Sequence, residues 1–216
     1  MDKKTYSSFR KILVYLLIYI AIGYVIIHFG FNKRYLIFNA GLSFIPYILT
    51  SFCANNKDRI LLCTILTLIA IIFYPNAIYM FTDFTHIKTK EYYEFVNGVV
   101  TYNMDYLVWI KLSCEVSLIT LSLVLSFESF LNILKIVNCY NHLVASFIVL
   151  LFFSAITGIA LYLGRFLRLN SWDIYKIKEI FIHLLHNLTT NDYILIGVFA
   201  AIHFVIILIF ANLKNN

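Results

Sequence analysis

The sequence is short of charged residues and of residues that break helices. Only 13% of its 216 residues are Asp, Glu, Lys or Arg, and it holds two prolines and seven glycines. Water-soluble domains contain about a quarter of charged residues, so the composition excludes an ordinary soluble fold. No stretch has the polar, aromatic-poor composition of a linker or a disordered tail. We therefore predict a single domain over residues 1–216.

The sequence also lacks the short motifs of several chemistries. Its four cysteines show neither metal-ligand spacing nor the pattern of a disulfide framework, and most fall in apolar runs, where a free cysteine packs as a small apolar residue. A Gly-rich phosphate loop, a Ser nucleophile elbow and a zinc-protease motif are all missing. We accordingly predict no bound metal and no cofactor.

Apolar residues, in contrast, are abundant. They make up 62% of the sequence, and the mean hydropathy of +0.85 predicts an integral membrane protein. The net charge of +6 would suggest a nucleic-acid partner for a soluble protein. Here the basic residues lie in short connections between apolar runs, where such residues contact lipid head groups and set topology. We predict membrane lipid as a partner and no nucleic acid.

Six apolar runs each have about the ~20 residues that cross a ~30 Å hydrocarbon core. We predict an all-α fold, a polytopic transmembrane helical bundle, whose spans cover residues 12–31, 35–53, 60–81, 105–127, 143–163 and 193–213. Pro75 lies inside the third span, so the helix should kink near Tyr74. Between the spans we expect an interfacial segment over residues 87–103 and a partly apolar connection over residues 128–142.

A seventh helix should lie on the membrane surface. From Ile174 to Leu188, apolar residues recur at helical spacing opposite Lys176 and Glu179. This pattern predicts one interfacial amphipathic helix over residues 174–188.

The start of the chain bears on its orientation. A basic stretch precedes the first span and no small-residue cleavage site follows it, which indicates a signal anchor with a cytoplasmic N-terminus. When this stretch is counted on the inside, the basic residues of the loops divide evenly between the two sides, eight against eight. Whichever way the protein faces, six alternating spans place most of the unusual polar residues on one membrane face. These are Asn39, Asn76, Tyr79, Asp83, His86, Asp105, Lys111, Arg165, Arg168, Asn170 and Trp172.

Spacing groups some of these residues further. Asn76, Tyr79, Asp83 and His86 form a stripe along one helix face, and an aspartate at a helix C-terminus needs a nearby cation. Two arginines one turn apart, Arg165 and Arg168, are the obvious candidates. In the fourth span, Lys111 and Glu115 stand at i and i+4, which predicts a second, intramembrane ion pair.

The one-sided cluster can be interpreted in two ways. In the first, Asp83 and His86 are catalytic, as a base and its orienter. Arg165, Arg168, Asn170 and Trp172 then bind an anion or a lipid head group, and planar guanidinium groups suit a phosphate or a carboxylate. Supporting polar residues are Asn39, Asn76, Tyr79, Asp105 and Asp173. In the second, Asp83 and the arginines form a structural ion-pair network, and Tyr79 and Trp172 are interfacial belt residues.

Two motifs carry a resemblance to a known family. The first motif is residues 73–79 (FYPNAIY) with Thr82, Asp83 and His86, and the second is residues 164–173 (GRFLRLNSWD). Together with Ile45-Pro46-Tyr47 they are similar to signatures of the bacterial integral-membrane family called domain of unknown function 1361. Asp105 matches an acidic position of that family at the start of its fourth span. Lys111 and Glu115 depart from its pattern, so their pair has no family support. The resemblance implies a multi-span protein of the bacterial plasma membrane and brings no reaction with it.

Three functions fit these observations. The first is a membrane-embedded transferase or hydrolase that acts on envelope lipids or lipid-linked glycans. The second is a small transporter or proton-coupled carrier, suggested by the intramembrane Lys111, Glu115 and His203. The third is a non-catalytic subunit that binds a membrane protein partner or a second copy of the chain. The sequence leaves open whether the protein is an enzyme.

Overall fold

The structure is a computed structural model that describes residues 3–215; residues 1, 2 and 216 of the predicted domain lie outside it. The described chain is largely helical, which confirms the all-α class. Its helices are α1 (Lys3–His28), α2 (Arg34–Asn55), α3 (Ile60–Phe73), α4 (Pro75–Thr82), α5 (Tyr106–Ile136), α6 (Leu143–Phe166), α7 (Ile177–His186) and α8 (Thr190–Asn215). Short 3₁₀ segments cover Asp83–His86, Thr89–Glu91 and Ser171–Lys176, and a hairpin joins β1 (Tyr93–Val96) to β2 (Val99–Tyr102).

The prediction of six membrane spans is confirmed. Within residues 3–215, six helical segments are long and apolar enough to cross a membrane. They are Tyr6–His28, Arg34–Asn55, Ile60–His86, Tyr106–Ile136, Leu143–Phe166 and Thr190–Lys214. The third combines α3, α4 and the 3₁₀ turn that follows. Large apolar side chains such as Leu61 and Phe152 are exposed on the outside of the bundle, as contact with lipid requires.

The third span breaks where Pro75 predicts a kink. Proline has no amide hydrogen, so α3 ends at Phe73 and α4 begins at Pro75. Two carbonyl groups before the break accept from side chains instead: Asn76 Nδ2 donates to Phe73 O at 3.1 Å, and Ser171 Oγ donates to Ile72 O at 3.1 Å. A distant segment therefore completes the hydrogen bonding of the broken helix.

Two predicted boundaries were wrong. The fourth span does not end at residue 127, because α5 continues to Ile136 and only residues 137–142 connect it to α6. Glu128 suggested a helix end, but its carboxylate accepts from Lys11 at 2.8 Å, and the residues after it pack into the core, Phe130 and Ile133 among them. Likewise α6 extends past residue 163, so Arg165 is helical.

The bundle has two main packing groups. The helix α2 lies against α1, α3, α4 and α5, while α6 packs along α8. At the second interface a Cβ on Gly158 would stand 2.5 Å from the carbonyl oxygen of Ile196. Only glycine permits this approach of two backbones, which is a common device of helix packing in membranes.

The segment between α4 and α5 has structure that its composition did not predict. In the hairpin, Tyr93 lies opposite Tyr102, and Asn97 and Gly98 make the turn with φ of 53° and 80°. An Asn-Gly pair between short apolar stretches favours this turn, and that signal was available in the sequence. The hairpin follows the site-bearing end of the third span and leads into α5.

Candidate functional site

Asp83 is the buried centre of the polar cluster. Asp83 is 3% exposed to solvent and lies directly after α4. Asn39 Nδ2 donates to Asp83 Oδ2 at 3.3 Å, and Arg165 Nη1 donates to Asp83 Oδ1 at 3.3 Å. The cation expected beside this carboxylate is therefore Arg165, which joins the end of α6 to the end of α4.

Both terminal nitrogens of the Arg165 guanidinium are engaged by this part of the third span. Its Nη2 donates to Thr82 O at 3.0 Å and to the Thr85 hydroxyl. Its Nη1 also reaches Tyr79 Oη at 3.4 Å, and the guanidinium carbon lies 5.7 Å from the centre of the Tyr79 ring. Both Nη atoms of Arg165 thus bind protein groups. Thr82 and Thr85 are members of the cluster that the sequence analysis missed, although they continue the stripe at a spacing of three residues.

His86 contacts Arg165 more closely than it contacts Asp83. The His86 Nε2 atom is 3.8 Å from Asp83 Oδ1, too far for a hydrogen bond, and 3.2 Å from Arg165 Nη2. A guanidinium can only donate, so in this contact Nε2 is the acceptor and the ring proton lies on Nδ1. In this arrangement the Asp83 carboxylate does not hold the His86 ring by a hydrogen bond, as the partner of a catalytic base would.

Arg168 differs from its neighbour one turn earlier. It follows the end of α6 with a φ of 56°, a left-handed conformation that few residues other than glycine adopt. Its side chain is exposed, and within residues 3–215 it has no hydrogen-bond or ion-pair partner. The left-handed residue directs the chain from α6 toward the surface segment. Of the two predicted arginines, only this one is free to bind an anion.

Asn170 and Asp173 begin the surface segment. Asp173 Oδ2 accepts from the backbone amide of Asn170 at 2.8 Å and from its Nδ2 at 3.3 Å, a capping box. The backbone hydrogen bond from Asn170 lowers the pKa of the Asp173 carboxyl below its usual value. The predicted interfacial helix is thus a 3₁₀ segment, Ser171–Lys176, followed by α7.

Asn76 and Ser171 dock this segment on the third span. Asn76 Nδ2 donates to Ser171 Oγ at 2.8 Å, in addition to its bond to Phe73 O. Both amide hydrogens of Asn76 are therefore used by the protein. Its position at the helix break gives it a structural role beside any contact with a ligand.

A cavity of about 760 Å³ lies between the third span, α6 and the surface segment. Its polar lining consists of Asn39, Asn76, Tyr79, His86, Arg165, Arg168, Asn170 and Ser171. Its apolar lining includes Leu42, Ile71, Ile72, Ile156, Leu161, Ile174, Ile177 and Ile180. None of the described residues that line it is acidic. The cavity is thus cationic on one wall and aliphatic on the other.

The remaining predicted residues do not line the cavity. Asp83 sits behind Arg165. Trp172 is half exposed and its ring meets Phe38 edge to face, 6.4 Å between centres. Asp105 caps α5 by accepting from the amide of Leu107 at 3.0 Å. In the described part of the chain, no group of three or more His, Cys, Asp or Glu side chains is placed to hold a metal ion.

The predicted pair of Lys111 and Glu115 was wrong. Lys111 binds Glu91 in the connection, and this bond lowers the pKa of the Glu91 carboxyl. Glu115 is 2% exposed and pairs with Lys33 Nζ at 3.1 Å. The i, i+4 rule failed because Glu115 faces the bundle core, while the long Lys111 side chain extends toward the membrane surface.

Lys33 is a second residue that the sequence analysis missed. It lies in the short turn between α1 and α2. Besides its pair with Glu115, its Nζ donates to His86 O at 3.4 Å. A cation at that carbonyl stabilises the C-terminal end of the third span, where the site residues lie.

Six spans and a polar cavity on one face define a multi-pass membrane protein. Over residues 38–209 the chain matches the family model described as Protein of unknown function (DUF1361), and the chain belongs to this family. No curated protein and no solved structure matches it. The resemblance that the two motifs indicated is thereby confirmed.

Proposed function

We propose that the cavity binds the anionic head group of a membrane lipid or of a lipid-linked glycan. The observation that carries this proposal is the unpartnered Arg168 in a cavity whose described lining contains no acidic residue. An exposed guanidinium without a counter-ion suits a phosphate or a carboxylate, which it can bind through two parallel hydrogen bonds.

The apolar wall supports an amphipathic ligand rather than a free anion. Ile71, Ile72 and Ile156 come from spans, so this wall continues toward the hydrocarbon core, and Ile177 adds a cover from α7. The volume lies within the ~300–1,000 Å³ typical of small-molecule sites. A head group at Arg168 and Asn170 would place its hydrocarbon chain along these side chains.

The same cavity supports a transferase or hydrolase reaction on the bound head group. Of the two predicted catalytic residues, His86 lines the cavity and its side chain is 51% exposed, whereas Asp83 lies behind Arg165. We therefore assign proton transfer to His86, and to Asp83 the positioning of Arg165. The family resemblance implies a location in the bacterial plasma membrane, and in that membrane the substrate class would be an envelope lipid or a lipid-linked glycan.

Lipid binding by the purified protein in detergent tests the head-group proposal. Native mass spectrometry with phosphatidate and with phosphatidylcholine of the same chains should show preference for phosphatidate. Replacing Arg168 by Gln should weaken phosphatidate binding ~10-fold or more, because a hydrogen bond to a charged group contributes about 1.5–3 kcal/mol. Lys178→Gln, a matched loss of charge on α7, should change little. Equal effects of the two variants would refute a specific role of Arg168.

Catalysis requires a separate measurement. The wild-type protein, incubated with a labelled lipid extract, should change the head group of one lipid, and His86→Gln should stop turnover while phosphatidate still binds. Asp83→Asn should act differently: it should weaken both lipid turnover and phosphatidate binding, because it releases Arg165 from its position. If the wild-type protein binds phosphatidate but turns over no lipid, the proposal of head-group binding stands and the proposal of catalysis is refuted.

A further inference from the structure

A second polar group lies in the centre of the bundle, away from the cavity. Tyr74, Ser154 and His203 stand near the middle of their spans, Ile60–His86, Leu143–Phe166 and Thr190–Lys214. All three are buried, with exposures of 1%, 4% and 0%. They therefore lie close to the midplane of the membrane. An ionisable residue at that depth is costly and is most often kept for function.

Both nitrogens of the His203 ring are hydrogen-bonded to hydroxyl groups. The Nε2 atom is 2.8 Å from Tyr74 Oη, and the Nδ1 atom is 2.8 Å from Ser154 Oγ. A hydroxyl can donate and accept, and a neutral imidazole has one donor and one acceptor nitrogen. The three groups form a continuous chain through which a proton can enter at one side of the ring and leave at the other.

Buried hydroxyls extend this chain along two helices. On α6, Thr157 lies one turn from Ser154 in the direction of Arg165. On α5, Ser126 lies beside the Tyr74 side chain, with Ser122 one turn away on the same face. Within the described structure the hydroxyls of Ser122, Ser126 and Thr157 have no hydrogen-bond partner although each residue is 0% exposed. Unpaired buried hydroxyls of this kind are the usual sites of internal water.

Together these groups span much of the bundle. On α6, Ser154, Thr157 and Arg165 fall on one helix face, so this arm points to the cavity. On α5, Ser126 continues to the buried Ser129 in the direction of the opposite membrane face. The packing of helices alone needs small polar residues, but it does not need hydroxyls without partners on both sides of a histidine.

We propose that Tyr74, His203 and Ser154 form a proton relay that carries protons across the membrane through the bundle core. In one step the Ser154 hydroxyl gives its proton to His203 Nδ1, and Nε2 gives its proton to Tyr74 Oη. Tyr74 passes its own hydroxyl proton to water near Ser126, and Ser154 regains one from water near Thr157. One proton enters and one leaves, and the ring is left with its proton on Nδ1. The His203 side chain then reorients so that the protonated nitrogen faces Tyr74 again before the next transfer. This activity is independent of head-group binding.

Proton flux into proteoliposomes tests the relay. The wild-type protein is reconstituted with pyranine inside the vesicles, and a valinomycin-driven potassium gradient sets an inside-negative potential. We expect acidification well above the rate of protein-free vesicles. His203→Gln keeps polarity but cannot relay a proton, and Tyr74→Phe removes one hydroxyl; both should reduce the rate to that of protein-free vesicles. Tyr47→Phe, the same change at another buried tyrosine, should leave it unchanged.

Each outcome decides the matter. A wild-type rate equal to that of protein-free vesicles overturns the proposal, even when a variant fails to fold. A folded His203→Gln protein with full flux overturns it as well, since the polar group would then serve helix packing alone. Because neither substitution touches the cavity lining, phosphatidate binding by the same samples shows separately whether the site of the proposed function is intact.

Discussion

Two arginines one turn apart show how much a residue depends on the backbone that carries it. Arg165 belongs to α6, and its side chain is fixed by Asp83 and by the end of the third span. Arg168 lies beyond the helix end, where a left-handed backbone directs it away from these groups. Identical side chains therefore take opposite roles: Arg165 holds two helices together, and Arg168 remains available to a ligand.

The partner of Glu115 is a residue-scale prediction. Since Glu115 pairs with the buried Lys33 and not with Lys111, the cycle of Glu115→Gln and Lys33→Met should show a coupling free energy of about 0.5–3 kcal/mol in unfolding. The cycle of Glu115→Gln and Lys111→Met should be additive to within ~0.5 kcal/mol. Unfolding in mild detergent gives these values. Coupling to Lys111 alone would contradict the observed pairing.

Asp173 gives a prediction about pH. Its folded pKa is lowered by the hydrogen bond from Asn170, so its contribution to the capping box is complete above the ordinary aspartate pKa of about 3.9. The contribution is lost only as the pH falls through the lowered pKa of the folded state. In a Trp109→Phe background, Trp172 is the only tryptophan. Its fluorescence should change with pH, and the midpoint of the change should lie below the pKa of a free aspartate, which is about 3.9.

The control for this titration is Asp173→Asn, which should abolish the transition in that range. A midpoint at or above the ordinary aspartate value would show that the capping box does not hold Asp173 in its charged form.

At the scale of elements, the break at Pro75 links the third span to the surface segment. Carbonyl groups next to the break accept hydrogen bonds from Ser171 and Asn76, and the contact between these two side chains helps to hold the surface segment beside the cavity. No residue of α7 is fully buried, and its ring contact with α6 is a stack of His183 on Tyr162, 6.5 Å between centres. The proline break therefore positions one wall of the cavity as well as bending the helix.

Removing the Ser171 hydroxyl tests this link. Ser171→Ala should raise the hydrogen–deuterium exchange of residues 171–186, because Ile72 O and Asn76 lose their partner and the segment loses its dock. The spans should keep their protection. Ser113→Ala, which removes a hydroxyl bonded within its own helix, serves as the control. Unchanged exchange in residues 171–186 would show that α7 is held by other contacts.

The spans, the kink and the surface helix could be predicted because each depends on local pattern: apolar length, a proline, and a period of 3.6 residues. The extension of α5 to Ile136 could not, since it depends on packing of Phe130 and Ile133 against other helices. The meeting of Asp83 with Arg165 followed from topology. The partner of Glu115 could not be predicted from topology, because the choice between Lys33 and Lys111 depends on how these side chains are oriented in the folded bundle.

At the scale of the whole molecule, six alternating spans would place the start of α1 and the end of α8 on one side of the membrane and the cavity on the other. We predict that the N-terminus is cytoplasmic and that the cavity faces outward. In a cysteine-free background, a membrane-impermeant maleimide should label Asn97→Cys in the hairpin of intact cells. It should label His142→Cys, in the α5–α6 connection, only after lysis. The reverse labelling pattern would show that the protein has the opposite orientation, with the cavity facing the cytoplasm.

The central claim is that the cavity holds an anionic head group at Arg168. It is tested most directly by an electron cryo-microscopy structure in nanodiscs that contain phosphatidate. We expect density for a phosphate within ~3 Å of the Arg168 guanidinium and for a hydrocarbon chain beside Ile71 and Ile156, with Arg165 still bound to Asp83. An empty cavity, with phosphate density only at other basic residues on the surface, would contradict it.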